Sequence, residues 1–152
     1  MSSRVYKETE GFVFRDMELE DFERGYLVLL SQLTKVPPLS AGEFAAIFEK
    51  VKRTSKMIVI EDLKEKKVVG SFKLLFERKF ARGGATMAHL EDVVVDSSYR
   101  SQGFGKQLME LAKAISDEEG CYKMVGYCSC ELVGFYAKNG FEAKEVCFSM
   151  VF

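Results

Sequence analysis

Hydrophobic residues recur along the chain with two different periods, which predicts strands interleaved with amphipathic helices. Residues 12–14 are apolar and predict a short first strand. Apolar side chains then recur at helical spacing over residues 22–33, which predicts a helix of about four turns ending before Pro37. Ser40 and Glu43 form a capping box and predict the start of a second helix. Its apolar face would consist of Phe44, Ile47, Phe48 and Val51.

The rest of the chain predicts a hairpin followed by crossovers. Residues 57–61 and 68–76 would pair around a charged turn, and Arg82-Gly83-Gly84 precedes a longer strand that begins near Thr86. This order indicates an α+β fold, with a mixed, largely antiparallel sheet flanked by helices, in one domain over residues 1–152. The remaining predicted elements are a helix from Gly103 to Gly120, a strand at 122–127, a short helix at 132–138, and a last strand at 141–151 that closes the sheet.

The composition is that of an ordinary globular chain and argues against several classes of function. The 152 residues are 47% hydrophobic and 30% charged with a net charge of −1, so nothing indicates nucleic acid or an anionic membrane as a partner. No apolar stretch approaches the roughly 20 residues needed to cross a bilayer. Residues 1–10 also lack the apolar segment of a secretory signal. We expect a soluble, intracellular protein, cytoplasmic by default, with an organelle left open.

The cysteines and the single histidine do not have the spacing of metal ligands. Cys121, Cys128, Cys130 and Cys147 match neither paired zinc-ligand motifs nor a disulfide framework, and His89 is distant from them in sequence. We therefore expect no metal, and reduced, mostly buried thiols.

The segment 89–105 carries the strongest candidate chemistry. Two acids, Glu91-Asp92, lie in its apolar strand, and Arg100-x-x-Gly103-x-Gly105 follows at the predicted start of a helix. Small residues at a helix N-terminus leave backbone N–H groups open to an anion such as a phosphate. The acids would meet a second, cationic reactant. This combination predicts group transfer from a phosphate-bearing donor.

Two familiar nucleotide-binding patterns do not fit these glycines. A Walker loop requires glycine in place of Arg100 and Ser or Thr in place of Gln107. A dinucleotide fingerprint requires a small residue in place of Leu108, within a parallel βαβ unit. The ligand is therefore expected to be a different kind of phosphate compound.

The segment resembles the acyl-CoA-binding motif of the GNAT acetyltransferases, which is Gln or Arg, two residues, Gly, one residue, then Gly or Ala. A closer similarity, to the eukaryotic glucosamine-6-phosphate N-acetyltransferases of this superfamily, covers most of the chain. The resemblance implies the GNAT (acyl-CoA N-acyltransferase) fold, with acetyl-CoA as co-substrate. The similar stretches are 30–36, 77–80, 89–95, 99–106, 121–123 and 135–141.

The resemblance also implies roles on the donor side. Backbone N–H groups at the helix start would hold the CoA pyrophosphate, assisted by the helix dipole. The pantetheine arm would pair with Val93 and Val95 like an extra strand, whose N–H groups can stabilise an oxyanion. Tyr136 would stabilise the departing thiolate. The implied pyrophosphate-binding residues are Arg100, Ser101, Gln102, Gly103, Phe104, Gly105 and Lys106.

On the acceptor side the resemblance implies Thr34, Glu91 and Asp92. The two acids would position the amine first and act as a general base second, because a carboxylate favours the charged amine. The amine would attack directly in a ternary complex. The implied activity is acetyl transfer to glucosamine 6-phosphate, giving N-acetylglucosamine 6-phosphate for UDP-N-acetylglucosamine synthesis.

The chain departs from its relatives on this acceptor side. Tyr127 and Leu132 stand where members commonly carry an acid and an asparagine, and residues 147–152 lack an arginine that reaches the partner subunit's sugar phosphate. Losing such a contact costs on the order of 2 kcal/mol. Lys35, Arg78, Lys79 and Lys123 are the cations available to replace it.

Two other functions therefore stay open beside acetylation of glucosamine 6-phosphate. One is a GNAT enzyme acting on another small amine or on a protein amine. The other is a non-catalytic domain that binds acyl-CoA. In either case the apolar tail 146–152 fits a homodimer, because the dimers of these relatives share C-terminal strands.

Overall fold

A computed structural model describes residues 3–152 and contains a six-stranded sheet whose strands lie side by side in chain order. The first five strands pair antiparallel, and the sixth lies parallel to the fifth. The predicted α+β class is confirmed, although the first strand was not predicted because its residues are mostly polar and exposed. The strands are β1 Val5–Thr9, β2 Phe12–Asp16, β3 Ser55–Asp62, β4 Lys67–Arg78, β5 Thr86–Val95 and β6 Cys121–Gly126.

Helices cover both faces of the sheet. They are α1 Tyr26–Leu30, α2 Ala41–Val51, α3 Phe104–Glu118 and α4 Val133–Lys138, with a single irregular turn at Ala81–Gly84. Within residues 3–152, no helix combines the length and apolar character needed to cross a membrane. The predicted domain 1–152 includes Met1 and Ser2, which lie outside the described residues.

The core consists of two clusters, one on each face of the sheet. Helix α3 buries Phe104, Leu108, Met109, Ala112 and Ile115 against one face. Helices α1 and α2 cover the other face, which includes Met57, Val59, Val68 and Val94, with Tyr26, Leu29 and Phe44.

The capping box at the start of α2 is confirmed. The Glu43 carboxylate accepts a hydrogen bond from the Ser40 N–H at 2.8 Å, and the Ser40 hydroxyl accepts one from the Glu43 N–H at 3.3 Å. The helix then begins at Ala41 and buries Phe44. This exchange satisfies backbone donors that the helix itself leaves without partners.

The long helix predicted over residues 22–33 is wrong. The chain forms a 3-10 turn at Leu19–Phe22 and then the short α1, because Gly25 adopts a left-handed backbone with φ +81° between them. A single helix cannot continue through that conformation. The apolar spacing is still satisfied, since Phe22, Tyr26, Leu29 and Leu30 pack against the same cluster.

The last strand predicted at 141–151 is also wrong. These residues form no strand, and the tail exposes its apolar side chains to solvent. A strand requires a neighbour for its backbone, and residues 3–140 of the same chain do not supply one here. The exposed apolar residues are Val146, Phe148, Met150, Val151 and Phe152.

The cysteines are less buried than predicted. Cys121 is partly buried, whereas Cys128, Cys130 and Cys147 are exposed, and all four are free thiols. The segments that carry the last three follow β6, where the expected covering strand is missing. In the described part of the chain, no group of three or more His, Cys, Asp or Glu side chains is arranged to hold a metal ion.

A buried ion network ties the turns before α1 to the sheet. The Arg15 guanidinium, 5% exposed, donates to both carboxylate oxygens of the fully buried Asp21, at 2.7 and 2.9 Å. It also donates to Glu61 of β3 at 2.6 and 3.0 Å. Arg24 adds a hydrogen bond to Asp21 at 3.0 Å. Each buried charge therefore has an opposite partner, as burial requires.

We predict that Asp21→Ala lowers the free energy of unfolding by about 3–5 kcal/mol, because it leaves the Arg15 charge buried with one partner removed. Urea denaturation followed by circular dichroism measures this loss. Glu118→Ala is the matched control, since it breaks the exposed Arg4–Glu118 pair and should leave stability unchanged. Equal effects of the two substitutions would contradict the role given to burial.

Candidate functional site

Strand β5 has a neighbour on both edges only as far as Leu90. Its pairing with β6 ends at the Leu90–Gly126 rung, whereas its pairing with β4 continues to Val95. A Cβ at Gly126 would lie 3.2 Å from the Leu90 carbonyl oxygen, so the two backbones approach closely at the last rung. Beyond it, the β6-side edge of residues 91–95 has no strand partner within residues 3–152. An extended arm can pair with such an edge.

A β-bulge at Asp92 follows directly. Lys73 of β4 pairs with Glu91, but the next rung joins Ser71 to Val94, so β5 carries one extra residue. Asp92 adopts a left-handed backbone with φ +53°, which costs a non-glycine residue about 1 kcal/mol. Its carboxylate lies 3.1 Å from the Lys73 ammonium. The bulge thus turns an acid toward a fixed cation.

Both acids face the side of the sheet covered by α1. Leu90 lies in the core under α3, so strand alternation directs Glu91 to the opposite face. On that face Tyr26 of α1 is buried, and burial, followed by the charge of Asp92, raises the pKa of Tyr26 to about 12. The phenol therefore stays protonated near neutral pH and adds no negative charge to the two acids.

The residues predicted to bind the pyrophosphate form the start of α3. Ser101 has φ +69° and Gly103, the N-cap residue, has φ +79°, so the chain turns sharply before the helix begins at Phe104. In this part of the described chain no side chain caps the helix. The first N–H groups, including that of Lys106, therefore have no acceptor in the helix itself. Together with the helix dipole they favour an anion.

Contacts to the sheet hold this segment in place. The Tyr99 hydroxyl donates to Asp62 at 2.8 Å, and Arg100 Nε donates to the Val95 carbonyl at 3.3 Å. The Phe104 ring is buried, with its centroid 4.8 Å from that of Phe12, so this residue offers a ligand only its backbone. The exposed side chains on the segment are Arg100, Ser101, Gln102 and Lys106.

Helix α4 places Tyr136 next to the start of α3. Phe135 packs so closely there that a Cβ on Gly105 would lie 3.2 Å from its ring. The Tyr136 ring is half-buried and makes edge-to-face contacts with Phe135 and Phe141, at centroid distances of 5.1 and 5.6 Å. Burial, and secondarily Cys128, raises the pKa of Tyr136, so its hydroxyl remains a hydrogen-bond donor.

Thr34 lies in an exposed turn after α1 rather than at the end of a long helix. Its N–H donates to the Leu30 carbonyl at 3.2 Å. In the same turn Gln32 Oε1 accepts a hydrogen bond from the Ser97 N–H at 2.9 Å. Ser97 lies two residues beyond the end of β5, so this contact brings the turn close to the end of the strand that carries the two acids.

Several polar residues of this face were not predicted as site residues. Lys73 and Tyr26 approach Asp92 only because of the register between β4 and β5 and the position of α1, which no local motif reveals. His89, interpreted from the sequence as a hydrogen-bonding residue, has its Nε2 2.8 Å from Glu77 Oε2. Hydrogen bonds with Lys79 and then His89 lower the pKa of Glu77.

Comparison with known proteins gives a consistent set of relatives. The profile of the acetyltransferase (GNAT) family matches residues 14–141. A probable glucosamine 6-phosphate N-acetyltransferase 2 from Oryza sativa subsp. japonica is 40% identical, over 91% of this chain and 86% of its own length. A glucosamine 6-phosphate N-acetyltransferase from Trypanosoma brucei brucei is 41% identical, over 86% and 92%.

A solved structure extends this similarity to the fold. The crystal structure of glucosamine-6-phosphate N-acetyltransferase from Arabidopsis thaliana superposes with a TM-score of 0.90 at 34% identity. The superposition covers 94% of this chain and 99% of that one.

Proposed function

The chain belongs to the GNAT acetyltransferase family, and we propose that it transfers the acetyl group of acetyl-CoA to the amine of glucosamine 6-phosphate. The observation that carries this proposal is the open edge of β5 beyond Leu90, which has the acids Glu91 and Asp92 on one side and leads to an anion-binding helix start on the other. The choice of acceptor is supported by the relatives from rice, trypanosome and Arabidopsis, which are named for it.

The donor would bind along β5 and at the start of α3. The N–H groups of residues 103–106 would hold its pyrophosphate, with the exposed Arg100 and Lys106 adding positive charge. Its pantetheine arm would pair with the free edge at Val93 and Val95. An N–H group on this edge would stabilise the negative charge that develops on the thioester oxygen during attack.

The chemical step would use residues from both sides of β5. Glu91 and Asp92, with Thr34 from the neighbouring turn, would hold the acceptor so that its neutral amine attacks the thioester carbon. A C–N bond forms, the C–S bond breaks, and the amine loses a proton to solvent or to a carboxylate. Tyr136, protonated because burial raises its pKa, would donate a hydrogen bond to the departing thiolate sulfur.

The sugar phosphate needs a cation other than the missing C-terminal arginine. Lys79 is held by Glu77 at 2.7 Å, Arg78 by the Gly84 carbonyl at 2.9 Å, and Lys123 lies 3.9 Å from Glu145. Lys35 is exposed beside Thr34. We therefore assign the phosphate contact to Lys35, the cation nearest in sequence to a proposed acceptor residue.

Acetyl-CoA and glucosamine 6-phosphate together should release free CoA, measured with a thiol reagent. Spermidine and a lysine peptide serve as alternative acceptors. They represent the other amines that the departures on the acceptor side, namely the exposed Tyr127 and Leu132 and a tail without cations, leave open. Turnover on one of those acceptors but not on glucosamine 6-phosphate would show that the natural acceptor is another amine. If acetyl-CoA bound without turnover on any acceptor, the chain would be a non-catalytic binding domain.

For Tyr136→Phe we predict a fall in kcat of about tenfold or more with little change in the KM for acetyl-CoA, because only the leaving-group hydrogen bond is lost. Steady-state kinetics measure the split. Tyr6→Phe is the control, since Tyr6 on the opposite edge of the sheet is also partly buried and donates to Asp16 at 2.8 Å. A Tyr136→Phe enzyme with wild-type kcat would remove this residue from the mechanism.

We also propose that the protein is a homodimer whose C-terminal tails pack on the partner. The tail 146–152 exposes Val146, Phe148 and Phe152 almost completely, at 80%, 93% and 109% of their reference areas. Exposed apolar residues this close together favour association, because burying them removes apolar surface from water. The proposal would also give the expected last strand a neighbour in the second copy.

Sedimentation velocity tests this proposal. The wild type should sediment as a dimer and the double variant Phe148→Ser/Phe152→Ser as a monomer with unchanged secondary structure. Leu63→Ser is the control, because Leu63 is an exposed apolar residue in the β3–β4 turn, and its variant should remain dimeric. A wild type that sediments as a monomer at micromolar concentration would refute the homodimer proposal.

A further inference from the structure

An amine of the protein itself lies on one of the acids assigned to the acceptor. The Lys73 ammonium is 3.1 Å from Asp92 Oδ2, and both side chains are partly buried, with 27% and 34% of their areas exposed. We propose that Lys73 is a positioning residue that shifts the bound acceptor toward its neutral amine form, the form that attacks the thioester. This inference deepens the proposed function and rests on it.

The geometry of the two strands fixes this contact. Lys73 is the cross-strand partner of Glu91, and the extra residue at the bulge brings Asp92 round to the same ammonium. The left-handed backbone of Asp92 leaves its carboxylate on the face covered by α1. One cation is therefore in contact with Asp92 and is the cross-strand neighbour of Glu91, the two acids that would hold the substrate amine.

The two acids alone would work against the reaction. A carboxylate near an amine stabilises its charged form, and an ammonium has no lone pair with which to attack. A fixed like charge on the same carboxylate does the opposite and favours the neutral amine. Lys73 would offset the acids in this way while Glu91 and Asp92 still accept hydrogen bonds from the amine. Lys73 itself takes no part in bond making.

Apart from Lys35, which is exposed in the turn after α1 and is proposed to contact the sugar phosphate, the other charged groups around these acids have partners of their own. Met57, the β3 neighbour of Lys73, is uncharged, and Tyr26 is neutral because burial raises its pKa. Glu77 is paired with His89 and Lys79. Asp21, whose charge contributes to the raised pKa of Tyr26, is paired with Arg15 and Arg24.

The test is the dependence of kcat on pH for acetyl transfer to glucosamine 6-phosphate, with both substrates saturating. Lys73→Met and Lys73→Gln remove the charge, and Lys73→Arg keeps it. Lys56→Met is the matched control, because Lys56 on β3 has the same exposure of 27% and pairs with Glu119 at 3.6 Å. Lys56 lies over the Tyr6 ring on the α3 face, away from the acids.

We expect the acidic limb of the kcat–pH profile to move up by about one pH unit in the two neutral variants, Lys73→Met and Lys73→Gln. Their rate should then be about tenfold below wild type at pH values under the limb and equal to it above the limb. Lys73→Arg and Lys56→Met should keep the wild-type limb. Melting temperatures of all four variants, measured alongside, identify any that fold poorly, and two neutral variants guard against the loss of one.

Three results would overturn the inference while the wild type remains active. They are an unshifted limb in both neutral variants, a loss of rate that is equal at every pH, and mass-spectrometric detection of acetyl-Lys73, which carries no charge, in the active enzyme. A wild type that releases no CoA with glucosamine 6-phosphate at any pH would instead refute the proposed function, and this inference with it.

Discussion

Strand β5 is paired along its whole length by β4 but only as far as Leu90 by β6, and this unequal pairing positions the free edge and the two acids of the candidate site. The free edge that remains offers backbone groups to a ligand. On the β4 side, the bulge at Asp92 directs two neighbouring acids to one face of the sheet. The same strand leads through a short loop to the start of α3, so the proposed donor and acceptor sites are separated by about ten residues of a single segment.

The buried Arg15–Asp21 pair connects the stability of the fold with the acceptor side. It holds the turn before α1 against β2 and β3, and α1 in turn carries Tyr26 toward Asp92 and leads to the turn that contains Thr34. Glu61 extends the network to the next strand. A loss of this pair would therefore disturb the acceptor face as well as the free energy of unfolding, although none of its members is proposed to touch the substrate.

The features that could be predicted from the sequence are those that depend on the spacing of nearby residues. Burial of one face left a helical period in α2 and α3, burial of both faces left short apolar runs such as residues 57–60 of β3, and the glycine motif located a helix start where Gly103 has a positive φ. The helix across residues 22–33 was wrong because Gly25 breaks it. The turn just before it is held by Asp21, which pairs with Arg15, and Arg15 in turn pairs with Glu61 of β3, a residue far away in sequence. The contact of Lys73 with Asp92 depends on strand register. The apolar tail has the pattern of a strand, but the pattern does not indicate whether the neighbouring strand belongs to the same chain or to another molecule.

The charges on the proposed acceptor face would explain how one site can hold an amine and still let it react. Holding requires negative charge, whereas attack requires that the amine give up its proton, so each added carboxylate improves the first and hinders the second. Two carboxylates with one ammonium held on Asp92 would be a compromise between these demands. The resemblance noted in the sequence implies an acid at position 127, and Tyr127 would act in the same direction as Lys73 because it carries no negative charge. On the proposed function, both residues then lower the negative charge around the amine.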